Sequence, residues 1–350
     1  MKAILLAAGL GTRLRPLTNF LPKCLMPING RPLLEYWVKP LSEAGIGPIL
    51  INLHYYADIV QEWVQNSEFA DNVMTVYEEE LLGTGGTPLR NQDFVNDEPV
   101  MLIHADNLSL VNLEEFIQTH MTRPLNTEIT MMTFTTLTPE TCGIVEVDAH
   151  GVVQAFHEKV SDPPGNLANA AVYIVEPQVI NFLAGLNKTV IDFSTEVLPH
   201  YLCRIYTYHN DFYHRDIGSL KSLLDAQIEF PGQVFISQHN DPWEKICKKN
   251  IDSSRKVLLS LADQFEAKVI DVDDECLHLL PKEYCLKEKK LILNVKKSDL
   301  DLKKILQHLQ EQGSIREGII LYFSKVSPGF SSKKIFEEHG VKSLAMCACT

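Results

Sequence analysis

A short apolar run, Ala3-Ile4-Leu5-Leu6-Ala7-Ala8, empties into Gly9-Leu10-Gly11-Thr12-Arg13-Leu14-Arg15-Pro16-Leu17-Thr18, and Leu21-Pro22-Lys23-Cys24-Leu25-Met26-Pro27 follows. This junction restricts the fold more than any other stretch of the chain. An apolar run of that length reads as a buried strand. Glycines at its end let backbone N–H groups close on a phosphate, because no Cβ obstructs the approach. Arg13 and Lys23 are the cations that would meet the negative charge. Gly9-x-Gly11 lacks the third glycine of a dinucleotide fingerprint, and it is not the G-x-x-x-x-G-K-[ST] of a P-loop. Taken alone it also fits an ordinary tight turn.

The rest of the first 230 residues extends the pattern. Residues 1–8, 48–53, 73–77 and 100–103 read as strands, and 33–44 and 57–65 as amphipathic helices. Such alternation implies an α/β fold, a mostly parallel Rossmann-like sheet with helices on both faces. Ligands then sit beyond the carboxyl ends of the strands. Residues 128–135, 143–148 and 152–156 look like an antiparallel set, with His150-Gly151 as a hairpin turn. At Glu229-Phe230-Pro231-Gly232 the composition turns lysine-rich, which places a boundary between a domain of residues 1–230 and a smaller α/β domain of residues 231–350. In the latter, 291–295 and 318–323 are strand-like, and 302–310 and 333–339 helix-like. No repeat of hexapeptide type is present.

Composition narrows the class. Two domains suit 350 residues, and 45% hydrophobic residues allow a sizeable core. No apolar stretch reaches the eighteen or so residues of a membrane span, and the opening run is too short for a signal peptide. Eight cysteines without a C-x-x-C pair indicate neither a zinc site nor a disulfide framework. The expected location is cytoplasmic. The net charge of −13 argues against a nucleic-acid partner. All of the acidic excess lies in residues 1–230, yet Arg13, Arg15 and Lys23 cluster there, which favours a specific anion site.

Further clusters carry chemistry. Tyr77-Glu78-Glu79-Glu80-Leu81-Leu82-Gly83-Thr84-Gly85-Gly86-Thr87 has three glycines in four residues, which would let the chain pass close to a flat ligand, or would mark a loop-to-helix junction capped by Thr84. Glu78–Glu80 reads as a solvated loop edge. In Ile103-His104-Ala105-Asp106-Asn107 the aspartate follows an apolar strand, and His104 reads as a satisfied neighbour. Tyr213-His214-Arg215-Asp216-Ile217-Gly218-Ser219-Leu220 offers a second aspartate, whose bland reading is a helix N-cap. Glu158-Lys159 at a strand end is, by itself, an exposed charge pair.

Leu6-Ala7-Ala8-Gly9-x-Gly11-Thr12-Arg13-Leu14, with Pro22-Lys23 after it, resembles the signature of the sugar-1-phosphate nucleotidylyltransferases, most of all relatives making guanosine-diphosphate mannose or heptose. The likeness covers about two-thirds of the chain. It implies the nucleotide-diphospho-sugar transferase fold, with a nucleoside triphosphate and a sugar-1-phosphate as partners and Mg²⁺ as cofactor. On that resemblance Leu6, Ala7, Ala8, Gly9, Gly11, Thr12, Arg13, Gly83 and Thr84 bind the nucleotide. Lys23 steadies the α-phosphate, and Asp106 and Asp216 hold the metal. Gly143, Glu158, Lys159 and Asn169 bind the sugar phosphate. Val160 stands where the family usually has proline, and Ala171 where it mostly has glycine. Residues 192–199 match a helical family segment of structural packing with a capping pattern.

The products expected are a nucleotide sugar, for polysaccharide or lipopolysaccharide biosynthesis, and pyrophosphate. Synthesis of thymidine- or uridine-diphosphate glucose is the alternative. Two others are a non-catalytic regulatory relative and transfer to a non-sugar phosphate such as phosphocholine. Residues 231–350 match nothing nameable. An oligomerisation module giving a homo-oligomer is the default for them, beside a regulatory site or a second enzyme. Asp271, Asp273, Asp274, Glu275 and His278 read as a solvated acidic turn. Cys347-Ala348-Cys349-Thr350 departs from a prenylation box at Cys349 and Thr350.

Overall fold

The computed structural model describes residues 1–231, 241–250, 268–272, 290–295, 319–324 and 342–347. In chain order the elements begin with β1 (Lys2–Leu6), β2 (Pro27–Ile28), β3 (Arg31–Pro32), α1 (Glu35–Glu43), β4 (Ile49–Leu53), α2 (Ala57–Asn66) and β5 (Val73–Tyr77). Then come α3 (Gly83–Arg90), α4 (Gln92–Val95), β6 (Val100–His104), β7 (Asn107–Leu110), α5 (Leu113–Met121) and β8 (Ile129–Thr135). β9 (Gly143–Val147), β10 (Val153–Glu158), β11 (Leu167–Val175), α6 (Pro177–Gly185), β12 (Ile205–His209) and β13 (Tyr213–Asp216) follow. The last are α7 (Leu220–Glu229), α8 (Pro242–Asn250), β14 (Lys268–Val272), β15 (Lys290–Val295), β16 (Ile319–Ser324) and β17 (Lys342–Cys347). By internal contacts the chain divides into two units, Met1–Leu10 with Leu33–Asp216, and Gly11–Pro32 with Ile217–Thr350.

The first unit is built on a nine-stranded sheet whose path runs β10-β9-β11-β6-β1-β4-β5, with β8 paired to β11 and β12. β1 pairs in parallel with β4 on one side and β6 on the other, and β4 with β5. The chain therefore lays β1, β4 and β5 outward, then returns across β1 to lay β6. Between β1 and β6 the direction of winding reverses, and the carboxyl ends of such a pair frame the ligand crevice of open α/β sheets. Ala3, Ile4 and Leu5 have no exposed surface, as expected of a strand covered on both faces. On one face Ile4, Leu50, Leu102, Tyr173, Met131 and Ile205 form a continuous core with Val179 and Leu183 of α6.

The antiparallel part departs from the sequence reading. β9 and β10 do form a hairpin, with Gly151 at positive φ in its turn. β8, however, pairs antiparallel with β11 and parallel with β12. β11 also joins β6 and β9, so it links the parallel and antiparallel parts of the sheet. Residues 83–90, glycine-rich and containing Pro88, are helix α3 rather than a loop.

In the second unit β14, β15, β16 and β17 lie side by side, each parallel to the next. This agrees with an α/β character for the later part of the chain. The N-cap of α7 is Ser219, whose side chain accepts from the Ser222 N–H. Asp271 lies in β14. The helices expected at 302–310 and 333–339, and residues 273–278 and 348–350, lie outside the described residues. Among the described residues no helix is long and apolar enough to cross a membrane.

Candidate functional site

The carboxyl ends of β1 and β6 are in direct contact. Leu6 is in register with His104, and the Ala105 N–H donates to the Leu6 carbonyl at 3.1 Å. Asp106 is the next residue, at the turn into β7. β7 pairs antiparallel with β13, and this register sets Asn107 opposite Asp216. One short ladder thus brings the two aspartates, far apart in sequence, to the same end. The turn is anchored from two sides. Trp37 Nε1 donates to the Asn107 carbonyl at 2.7 Å, and Asn107 Nδ2 donates to the Ala170 carbonyl at 2.8 Å. The His214 ring, in the same ladder, is pushed down to about 3 by burial, against the upward pull of Asp106. The capping role that Asp216 offered in the sequence belongs to Ser219.

Two carboxylates are a donor set that fits Mg²⁺, which takes oxygen ligands, keeps several waters and leaves positions for substrate phosphates. Among the described residues no group of three or more His, Cys, Asp or Glu side chains comes together as a metal cage. A cation needing a full protein shell would fit worse.

Beside the end of β1 lies a buried polar cluster that sequence reasoning missed. Asn52 of β4 is 3% exposed and accepts from the Ala7 N–H at 2.7 Å. Its Nδ2 donates to Glu78 Oε1 at 3.0 Å and Thr87 Oγ1 at 2.9 Å. The Thr87 hydroxyl donates to the same Glu78 oxygen at 2.6 Å. Glu78 is buried while Glu79 and Glu80 are exposed, so the solvated edge expected for Glu78–Glu80 holds only for the last two. The available signal was Asn52 itself, a lone polar residue in Ile49-Leu50-Ile51-Asn52-Leu53, which is costly to bury unless bonded.

The glycines of α3 have a packing reason. A Cβ at Gly83 would lie 2.5 Å from the Ile191 carbonyl oxygen, one at Gly85 2.7 Å from Ile191 Cγ2, and one at Gly86 2.4 Å from the Thr189 carbonyl oxygen. Gly85 N–H donates to the Ile191 carbonyl, and Thr84 Oγ1 accepts from the Phe193 N–H. The close approach the sequence implied is therefore made, at least in part, to residues 189–193. Just beyond, Asp192 caps a short helical turn by accepting from the Thr195 N–H, the structural part expected of it.

The third group lies on the antiparallel strands. Glu158 of β10 faces Gly143 of β9, and a Cβ on Gly143 would lie 2.7 Å from both Glu158 Oε2 and Phe156 Cζ. Lys159 closes the strand at φ +50° and pairs with Glu158 at 2.7 Å. Its side chain is largely exposed and able to turn to a ligand. Asn169 of β11 donates through Nδ2 to the Tyr173 hydroxyl at 2.6 Å and accepts from the Ala171 N–H at 2.9 Å. Burial pushes the Tyr173 hydroxyl far up, with the Glu158 and Asp192 charges adding to the rise. Gly143, Glu158 and Lys159 are thus brought together, and Ala168, beside Asn169, is in register with Ile144 of β9.

Ala171 sits at φ +53° where the β11 register shifts. An L residue pays about 1–2 kcal/mol there, which accounts for glycine being suited to the position. Ala171→Gly is expected to stabilise the fold by roughly 1 kcal/mol or less, once the added freedom of the unfolded chain is subtracted. A urea midpoint that falls would contradict this account.

In the second unit, Gly11 has φ +61°, and a Cβ there would approach Thr18 Cγ2 to 2.8 Å and Lys23 Cβ to 3.0 Å. Thr18 Oγ1 donates to the Gly11 carbonyl. The loop is thereby folded onto the segment bearing Lys23, which is buried, while Thr12 and Arg13 are exposed. Gly9, in the first unit, is different. No atom lies within 4 Å of where its Cβ would stand, and its φ is ordinary, so packing does not demand a glycine there.

Residues 2–231 match the family described as nucleotidyl transferase. A protein of Sulfolobus acidocaldarius, provisionally named mannose-1-phosphate guanyltransferase, is 30% identical over 253 residues, covering 70% of this chain and 68% of its own length. The mannose-1-phosphate guanylyltransferase of Mycobacterium tuberculosis is 31% identical over 222 residues, 62% of this chain and 61% of that protein. The chain therefore spans 61% to 68% of the length of these two relatives. The crystal structure of HddC from Yersinia pseudotuberculosis complexed with GMP-PN aligns with a TM-score of 0.55 at 24% identity, covering 65% of this chain and 99% of that one. At that identity the likeness speaks for the fold.

Proposed function

Because this chain belongs to the nucleotidyl transferase family, among the sugar-1-phosphate nucleotidylyltransferases, we propose that it joins GTP and mannose-1-phosphate into GDP-mannose and pyrophosphate. The observation that supports the reading is that one unit carries all three groups: the exit of β1, the Asp106–Asp216 ladder end, and the Glu158–Lys159 pair of the antiparallel strands. The relatives named mannose-1-phosphate guanylyltransferase support this choice of substrates. Such a product would feed glycan assembly, and a triphosphate substrate is consistent with a reaction in the cytoplasm.

An oxygen of the sugar phosphate attacks the α-phosphorus of the triphosphate, a new P–O bond forms, and the bond to the β-phosphate oxygen breaks to release pyrophosphate. A phosphate is already a nucleophile near neutral pH, so no general base is needed. The task is orientation and neutralisation of charge. By the family resemblance, Leu6, Ala7, Ala8 and Gly9 would bind the triphosphate, the same role falls to Gly11 and Thr12, and Gly83 and Thr84 would serve the base. Arg13 neutralises the departing pyrophosphate, and Lys23 the α-phosphate. Gly143, Glu158 and Asn169 receive the sugar, and Lys159 its phosphate. Asp106 and Asp216 would hold Mg²⁺, which supplies positive charge to the phosphate oxygens when bound.

Lys159→Ala is expected to raise the sugar-phosphate KM about tenfold or more, the loss of one charge-assisted hydrogen bond, with a smaller change in the nucleotide KM. An unchanged sugar-phosphate KM removes Lys159 from the site. The function itself is tested by pyrophosphate release across a matrix of GTP, UTP, dTTP and ATP against mannose-, glucose- and heptose-1-phosphate. Best turnover with GTP and mannose-1-phosphate supports the reading. Best turnover with UTP or dTTP and glucose-1-phosphate replaces it, and no release with any pair points to a non-catalytic relative.

A further inference from the structure

We infer that Asn52 is a positioning residue for the nucleotide, clamping the chain where it leaves β1, and that Glu78 and Thr87 hold its amide in the one orientation that can do so. The inference rests on the reading above, in which the residues after β1 hold the triphosphate. The parallel ladder between β1 and β4 ends at the pair Leu6–Asn52. Beyond it the Ala7 N–H bonds to the Asn52 side chain, at 2.7 Å. A side-chain amide thus takes over where the ladder stops. On the other side the Leu6 carbonyl is held by the Ala105 N–H of the segment leading to Asp106. The exit of β1 is therefore gripped by main chain on one flank and by Asn52 on the other.

The amide has no freedom to turn over. Both hydrogens of Nδ2 face acceptors, Glu78 Oε1 and Thr87 Oγ1. The Thr87 hydroxyl spends its hydrogen on Glu78 at 2.6 Å, within the range of charge-assisted O–H···O⁻ bonds, so its lone pair is what Asn52 meets. Inverting the amide would set its oxygen against two acceptors and its hydrogens against the Ala7 N–H. Asn52, Glu78 and Thr87 are each at least nine-tenths buried, so no solvent relieves such a mismatch. The cluster also ties four segments into one frame. They are the β1 exit, the end of β4, the residue after β5, and α3, which carries Gly83 and Thr84. A change in any of the three side chains should move the nucleotide half of the site and leave the sugar strands β9–β11 in place.

The test is steady-state pyrophosphate release by the full chain, with the two substrates varied separately, together with thermal unfolding. Asn52→Ala should raise the nucleotide KM about tenfold or more and leave the sugar-phosphate KM within about twofold of wild type. Glu78→Gln keeps an oxygen for Asn52 and Thr87, and should restore the nucleotide KM to within about threefold. Glu78→Ala should behave like Asn52→Ala. Thr87→Val preserves shape and removes one acceptor, so a smaller rise is expected, and it serves if Asn52→Ala does not fold. Val60→Ala, a core truncation on α2 outside this cluster, should lower the melting temperature without moving either KM. A nucleotide KM unchanged in Asn52→Ala, or in Thr87→Val where only that variant folds, overturns the inference. So does a parallel rise of both KM values. A wild type that turns over no pair of substrates instead overturns the functional reading, which keeps the two failures apart.

Discussion

Asp106→Ala is expected to lower kcat for pyrophosphate release by about a hundredfold or more, because on the proposed reading it removes a metal-holding carboxylate, and charge neutralisation by a metal and orientation of the phosphates are each worth several kcal/mol. The structure makes the loss local. Asp106 is only partly buried, whereas its neighbours Ala105 and Asn107 are buried and make the anchoring contacts to Leu6, Trp37 and Ala170. Removing the carboxylate leaves these anchoring contacts in place. Asp106→Asn, which keeps the shape and removes the charge, should lose nearly as much, and both variants should melt near the wild-type temperature. Near-normal release by either would remove Asp106 from the metal site.

Acidification is expected to destabilise the fold through His120. Its ring is fully buried, with Nδ1 2.8 Å from Thr130 Oγ1 and Nε2 3.2 Å from Glu176 Oε1. Glu176 is already engaged by Arg123. Burial, with the nearby Arg123 cation, pushes the imidazole from the ordinary 6.5 down to about 3. Below pH 6.5 the unfolded chain takes up a proton that the folded chain refuses. The contribution is thus constant above that pH and is lost progressively on acidification towards about pH 3. The slope is up to about 1.4 kcal/mol per pH unit, one proton's worth, and sums to several kcal/mol across the window. Urea midpoints followed against pH should fall more steeply for wild type than for His120→Gln, by about one proton. Parallel curves would show that the ring is not held neutral.

What was legible in the sequence followed from periodicity. The apolar runs of β1, β4 and β6 are buried along most of their length, whereas β5, at the edge of the sheet, exposes Met74 and Tyr77. β11 was missed because its strand pattern is broken at Ala170-Ala171, where a residue at positive φ shifts the register. α3 was legible only as the alternative of a loop-to-helix junction, because three glycines and a proline argue against a helix on propensity. Contact with residues 189–193 overrides it, since only small residues fit there. Glu78 was misread because a run of three glutamates looks solvated, and its partners Asn52 and Thr87 come from other elements. Gly143, Glu158 and Lys159 were legible as a group only through the family resemblance, and the antiparallel register of β9 and β10 supplies the reason they meet.

The strand that completes the aspartate pair is also the last of its unit to be synthesised. A nascent chain emerged as far as β12 already contains the glycine loop, the strands bearing Glu158 and Lys159, and Asp106. It lacks Asp216, which reaches its place only when β13 docks on β7. Order of synthesis thus withholds the second carboxylate until the rest of the unit exists. On the proposed reading, both metal-holding carboxylates are first present together only at that point.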